Sequence, residues 1–267
     1  MTIKTSYSNF VYRLYSFNLR YRKLVCWWNN DVLKKKQYHI GLRKGEGSAN
    51  VVMVETPAQV RQLAEHFHDS TILADHREYL SMLIKTPAAQ FLAISTGIGT
   101  PPIAIGMEEL AIIGAQRFVY IGSCKPVSPM LKEGDLFVVK ATVKEDGTSR
   151  EYLPSIIPAV GDVGLINEVR SVLKKAAVPF QVGISVTVDL DPYHLSEQIP
   201  LKQQYEQQME VLKAGSALAI DRAAAGVYAV ATKVHKPACC ILMAAEAESE
   251  LPSNLIDTLP DLFSKDC

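Results

Sequence analysis

The residues of this 267-residue chain best placed to do chemistry lie in the run Ser95-Thr96-Gly97-Ile98-Gly99-Thr100-Pro101-Pro102. An apolar stretch, Phe91 to Ser95, leads into two glycines that let the backbone turn sharply, and a helix-forming segment begins directly after them. Such a turn brings backbone amides close to a ligand at a helix N-terminus, a geometry suited to an anion. Other reactive side chains read as structural. Spacing places no base beside Cys124, which argues against a nucleophile, and Cys239 and Cys240 sit in an apolar run that favours packing. His66 and His68, two residues apart on a helix, point to different faces, so no metal site is expected.

These residues need a scaffold, and from Ser48 onward short apolar runs alternate with amphipathic stretches, the pattern of an α/β domain. Strands are expected at Asn50 to Val54, Phe91 to Ser95, Arg117 to Ile121, Leu136 to Val143, Phe180 to Val188, Ala217 to Ile220 and Ala238 to Ala244. Helices are expected from Pro57 to about Phe67, Pro101 to Gly114, Val163 to Ala177, Leu201 to Lys213 and Arg222 to His235, with Pro57 opening the first and Gly114 closing the second. The body, 38–267, contains no internal repeat and no linker, and reads as one domain.

Residues 1–37 differ in composition. They hold eight Lys or Arg against the single acid Asp31, a charge of +7, so the neutral whole conceals a body of −7. Both tryptophans, Trp27 and Trp28, lie there among further aromatic residues. A basic aromatic extension of this kind suits a membrane surface, a nucleic acid or organelle targeting, or is a simple extension. The sequence lacks an apolar run of membrane-spanning length and a secretory leader, and its five cysteines are odd in number without metal-type spacing. A cytoplasmic protein with reduced thiols is the expectation.

The run from Ser95 through Pro102 into Ile103-Ala104-Ile105-Gly106-Met107-Glu108-Glu109-Leu110 resembles the signature of the nucleoside phosphorylase family, departing from it at Pro102. The likeness extends, with gaps, from Tyr38 to Pro252 and is greatest to the uridine phosphorylase branch. Tyr38-His39-Ile40-Gly41-Leu42, Val51 to Pro57, Leu73 to Tyr79, Ile121-Gly122-Ser123 and Glu133-Gly134-Asp135 all take part. It implies a mixed, twisted central β-sheet flanked by helices, assembled into dimers or trimers of dimers. It also implies a reaction in which phosphate displaces the base at the anomeric carbon of a nucleoside. No cofactor is implied beyond phosphate as co-substrate, and no metal. By the same resemblance Gly97, Ser123 and Arg77 are the phosphate-binding candidates. His39 and Asp221 are the nucleoside-binding ones, with His39 and Arg77 reaching a neighbouring subunit. From the residues alone, His39 also reads as a surface histidine, Arg77 as a partner of Asp75 or Glu78, Ser123 as a turn cap and Asp221 as the cap of the helix after it.

Several family positions are changed. Glu55-Thr56-Pro57 followed by Gln59 stands where the phosphate loop has Gly-Asp-Pro and then an arginine. Tyr120 stands for another arginine, Cys124-Lys125 for a small Thr-Gly pair, and Ile220-Asp221-Arg222 for the ribose-binding Glu-Met-Glu. The base-binding Gln-x-Arg has no counterpart around Tyr193 to Gln198. Each charge-assisted hydrogen bond contributes roughly 1.5–3 kcal/mol. Two arginines and one carboxylate therefore correspond to about 4–9 kcal/mol, or roughly three to six orders of magnitude in rate. Lys125, Asp221 and Arg150 or Arg222 are the residues that could compensate, Asp221 and Arg222 being the only catalytic candidates. The expectation is a family protein with lost or strongly reduced phosphorolysis that binds a nucleoside or base, or serves as a subunit beside an active paralogue. Alternatives are an active phosphorylase or hydrolase of altered specificity, and a structural or storage protein. A homo-oligomer or hetero-oligomer is expected. Too few residues follow Pro252 for a long closing helix, so the extension or a neighbouring subunit is expected to cover part of the sheet's outer face.

Overall fold

A computed structural model describes residues 35–190, 200–245 and 249–264. In chain order the elements are β1 (Asn50–Val54), α1 (Pro57–Phe67), β2 (Ser70–His76), β3 (Tyr79–Lys85), β4 (Gln90–Ser95), α2 (Thr100–Ile113), β5 (Arg117–Pro126) and β6 (Leu136–Glu145). There follow α3 (Gly147–Tyr152), β7 (Ala159–Val160), α4 (Val163–Lys175), β8 (Gln181–Val188), α5 (Lys202–Ala214), β9 (Ala217–Asp221), α6 (Ala224–Val234), β10 (Ala238–Ala244), α7 (Ser253–Ile256) and α8 (Leu259–Leu262). The expected α/β class and mixed central sheet are what the structure has.

Alternation builds the two cores. In β1, Val51 and Met53 point to one side of the sheet and Val52 and Val54 to the other, the period of two that a strand buried on both faces requires. Helices α2 and α6 pack over the first face. Helices α1 and α4 cover the second, together with Leu255 and Ile256 of α7 and Leu259 and Leu262 of α8. The two short C-terminal helices thus cover part of the face that the sequence assigns to the extension or to a neighbour; residues 1–34 lie outside the described residues.

Two strands that the sequence does not announce, β2 and β3, form an antiparallel hairpin at the sheet's edge. β2 is mostly exposed and polar, so it lacks the apolar alternation that reveals a strand. Arg77, in the turn, adopts a left-handed conformation with φ 57°. α3 is also unannounced, being a single short helix capped by Asp146, whose side chain accepts from Ser149 N. The two-residue β7 and the short helices α7 and α8 are likewise unannounced, and elsewhere the differences are at ends: β5 runs on to Pro126, and α6 starts two residues later than Arg222.

One feature of the sheet makes room for a ligand. β5 pairs in parallel with β1 as far as Ile121, opposite Val54, and antiparallel with β9 only from Lys125. Gly122, Ser123 and Cys124 fall between these two partners, while on the other edge β10 pairs with β5 throughout this stretch. β10, β6, β8 and β9 complete a ring that returns to β5. The C-terminal ends of β1 and β4 open onto the resulting gap, the place where parallel sheets receive ligands.

Candidate active site

A cavity of about 600 Å³ opens at this gap. Its walls are the Gly97–Gly99 turn, the β1–α1 junction at Glu55, β5 at Tyr120 and Ser123, and the β9–α6 junction at Asp221 and Arg222. Gly97, Ser123, Asp221 and Arg222, singled out from the sequence, are therefore brought together. Gly97 has φ 75° and a Cβ there would stand 3.2 Å from Glu78 Cβ, so both conformation and space favour glycine.

His39 and Arg77 are elsewhere. The carboxylate of Glu109 on α2 accepts from His39 N and Ile40 N and lies 2.8 Å from His39 Nδ1. Arg77 Nη2 donates to the Tyr38 hydroxyl at 3.3 Å, its guanidinium lying over the Tyr38 ring. Neither lines this chain's cavity. Asp75 instead pairs with Arg61, so the sequence-based pairing of Arg77 with Asp75 is not what forms. Arg150 is also away from the cavity: it pairs with Glu145 and donates to the Lys144 carbonyl, which removes it as a compensating cation. The stretch Tyr193 to Gln198 lies outside the described residues.

The largest difference from expectation is at Glu55. Immediately after β1 the chain turns its carboxyl into the cavity, where Oε1 accepts from Ser123 Oγ at 2.9 Å. The hydroxyl of Tyr120, a side chain buried on β5, lies beside the same carboxyl and favours its charged form. Burial outweighs these contacts and pushes the Glu55 pKa above its ordinary value, with the negative charge of Asp221 adding to the shift. Glu55 Oε2 is buried without a hydrogen-bond partner.

Gln59 explains why the neighbouring backbone is closed to an anion. Its Oε1 accepts from Glu55 N at 3.0 Å and Thr56 N at 3.2 Å, and its Nε2 donates to the Ser249 carbonyl at 2.9 Å. Thr56 Oγ1 in turn accepts from Gln59 N, completing a capping box on α1. The amides of the loop are thus occupied by a helix cap. The sequence reading treats Gln59 as lacking the charge to offset Glu55, and Tyr120 as a separate loss; the structure brings both to Glu55. The T-P-x-Q pattern, readable as a capping box, was the available signal.

Asp221 is 3% exposed and does cap the following helix. Its Oδ1 accepts from Ala223 N at 2.8 Å, Ala224 N at 2.7 Å and the Thr187 hydroxyl at 2.8 Å, while Thr187 Oγ1 accepts from Ala225 N. Burial pushes its pKa up against these bonds. The Ser185 hydroxyl is near enough to favour the charged form, yet neither Asp221 Oδ2 nor Ser185 Oγ reaches hydrogen-bond geometry. Ser185 and Thr187, polar residues inside a mostly apolar strand, also belong to this site and were not singled out. Cys124 is buried, and burial raises its thiol pKa, which keeps it protonated and unreactive. Among the described residues no group of three or more His, Cys, Asp or Glu side chains is placed to hold a metal ion.

The comparisons with known proteins agree with this architecture. Residues 50–259 match the family described as the phosphorylase superfamily. A uridine phosphorylase of Thermococcus kodakarensis is 33% identical over 57% of this chain, the match spanning 55% of that protein's length. A guanosine phosphorylase of Halorubrum lacusprofundi is 27% identical over 84% of this chain and 93% of its own. Among solved structures, a purine nucleoside phosphorylase from Toxoplasma gondii, in complex with immucillin-H, superposes with a TM-score of 0.74 at 26% identity, covering 85% of this chain and 95% of that one. The chain belongs to the nucleoside phosphorylase family.

Proposed function

We propose that this chain binds a nucleoside or free base in the cavity and that phosphorolysis there is lost or strongly reduced. The supporting observation is the Glu55 carboxyl on Ser123, in a loop whose amides are already bonded to Gln59. An incoming phosphate dianion meets a carboxyl and no vacant amides at that corner. The Gly97 turn and Asp221 still line the cavity where a nucleoside or base would sit. The position of His39 and Arg77 outside the chain's own cavity fits a subunit that completes a neighbour's site, in a homo-oligomer or beside an active paralogue.

The test is base release from a panel of pyrimidine and purine nucleosides at high enzyme concentration, with and without phosphate, alongside ligand-induced shifts in melting temperature. Binding without phosphate-stimulated release is the expected result. Phosphate-dependent turnover at the rate of an ordinary phosphorylase would overturn the reading.

The same carboxyl favours one second reading, hydrolysis. Water would then attack the anomeric carbon, its proton passing to Glu55 as the bond to the base breaks and the base leaves with the bonding pair. Base release indifferent to phosphate and lost in Glu55→Gln would establish it.

A further inference from the structure

Glu55 and Asp221 reach the cavity from different elements, the end of β1 and the end of β9, and meet only because β5 changes partners between Ile121 and Lys125. Each contributes a buried carboxyl oxygen without a hydrogen-bond partner, Oε2 of Glu55 and Oδ2 of Asp221, the latter on a side chain only 3% exposed. The other charged groups facing the cavity are Glu133, from the turn before β6, Lys125 on β5 and Arg222 after β9. Within the floor itself, Tyr120 and Cys124 are neutral, since burial holds both protons on. Two acids thus share the cavity wall, and the negative charge of Asp221 opposes ionisation of Glu55. A buried carboxylate of this kind is costly until an opposite charge arrives.

We infer that the cavity selects a nucleoside-like ligand carrying a positive charge on or beside its sugar ring, with the Glu55 carboxylate as its fixed counter-ion and with no phosphate required. This rests on the nucleoside reading above. In a reaction that builds positive charge on the sugar, a separate anion normally has to be recruited. Here the anion is part of the chain, held against Ser123. A neutral ligand of the same shape meets the same carboxyls with weaker hydrogen bonds, since bonds to a charged partner are about twice as strong as neutral ones. The cation should therefore bind at least about tenfold tighter than its neutral counterpart.

The experiment is isothermal titration of the full chain, without phosphate, with uridine and guanosine and with the imino-sugar analogue of each, in which a protonated ring nitrogen replaces the ring oxygen. The expected results are tighter binding of the imino form, no gain on adding phosphate, and loss of the preference in Glu55→Gln. Equal affinity of the two forms overturns this inference while leaving the nucleoside reading intact. A preference that persists in folded Glu55→Gln also overturns it, because the counter-ion is then another group. Failure of every ligand overturns the nucleoside reading as well. Should Glu55→Gln not fold, the wild-type preference decides: it must shrink as pH falls and Glu55 and Asp221 take up protons, and a pH-independent preference refutes the assignment.

Discussion

Replacing Glu55 with glycine should give this chain an anion site that it lacks. At a separation of about 4 Å and an effective dielectric near 20, two unit charges interact by about 4 kcal/mol, so an ionised Glu55 opposes a phosphate dianion by about 8 kcal/mol. Truncation removes that repulsion and releases the Ser123 hydroxyl, which donates to Glu55 in the parent. The Ser123 hydroxyl and the Gly97–Gly99 turn across the cavity supply one or two charge-assisted bonds of about 1.5–3 kcal/mol each, enough for binding near the millimolar level, where a dissociation constant of about 1 mM corresponds to about 4.1 kcal/mol. Phosphate at about a hundred times that constant stabilises the variant by about 2.7 kcal/mol. For a chain of this size the melting temperature should rise by about 5–11 °C. The assay is thermal unfolding of both proteins in phosphate and in sodium chloride of equal ionic strength, with the difference between them as the readout. This removes the general stabilisation that phosphate exerts by exclusion from protein surfaces. If wild type gains as much as the variant, Glu55 does not guard the site and the reasoning fails.

Three further outcomes test the surrounding framework. Glu55 and Asp221 have pKa values raised above 4.5 and 3.8, so the folded state binds more protons than the unfolded one between those values and the raised ones. Stability should therefore increase as pH falls through the raised values towards the ordinary ones, and thermal scans of Glu55→Gln should show a shallower rise. Gly122→Ala would put a Cβ 2.5 Å from Tyr120 Cε1 and 2.7 Å from its hydroxyl, forcing a buried ring away from Glu55; urea unfolding should show a loss of about 1–3 kcal/mol. Thr56→Ala breaks the capping box on α1 and should cost about 1 kcal/mol by the same measurement.

The fold was legible where periodicity and punctuation agreed. β1 and β4 are apolar runs followed by Thr56-Pro57 and by the Gly97–Gly99 turn, and both strands end where the sequence puts them. The hairpin of β2 and β3 was not, because an exposed edge strand such as Ser70–His76 carries no core-facing stripe. At the site, the glycine turn, Ser123 and Asp221 could be named from motif and position. The partners that fix their behaviour could not. Gln59 lies 190 residues from the Ser249 carbonyl it binds, and Glu55 lies 68 from Ser123. Spacing along a chain says little about bonds that only the sheet's change of partner brings within reach.

That same change of partner makes the three departures at Glu55, Gln59 and Tyr120 one unit. A carboxyl in the phosphate corner beside a surviving arginine at position 59 would pair with it and pull the loop out of its cap. An arginine at position 120, which is 1% exposed, would be drawn to Glu55 and tie up the carboxyl in a buried ion pair. Tyr120 instead supplies a neutral hydroxyl, and Gln59 turns back to bind the amides of Glu55 and Thr56. Once the dianion is replaced by an internal monoacid, each former cation becomes a liability, and the neutral replacements are those that keep buried polar groups bonded. On the reading proposed above, the corner formed by Glu55 and Ser123 is therefore arranged to meet positive charge.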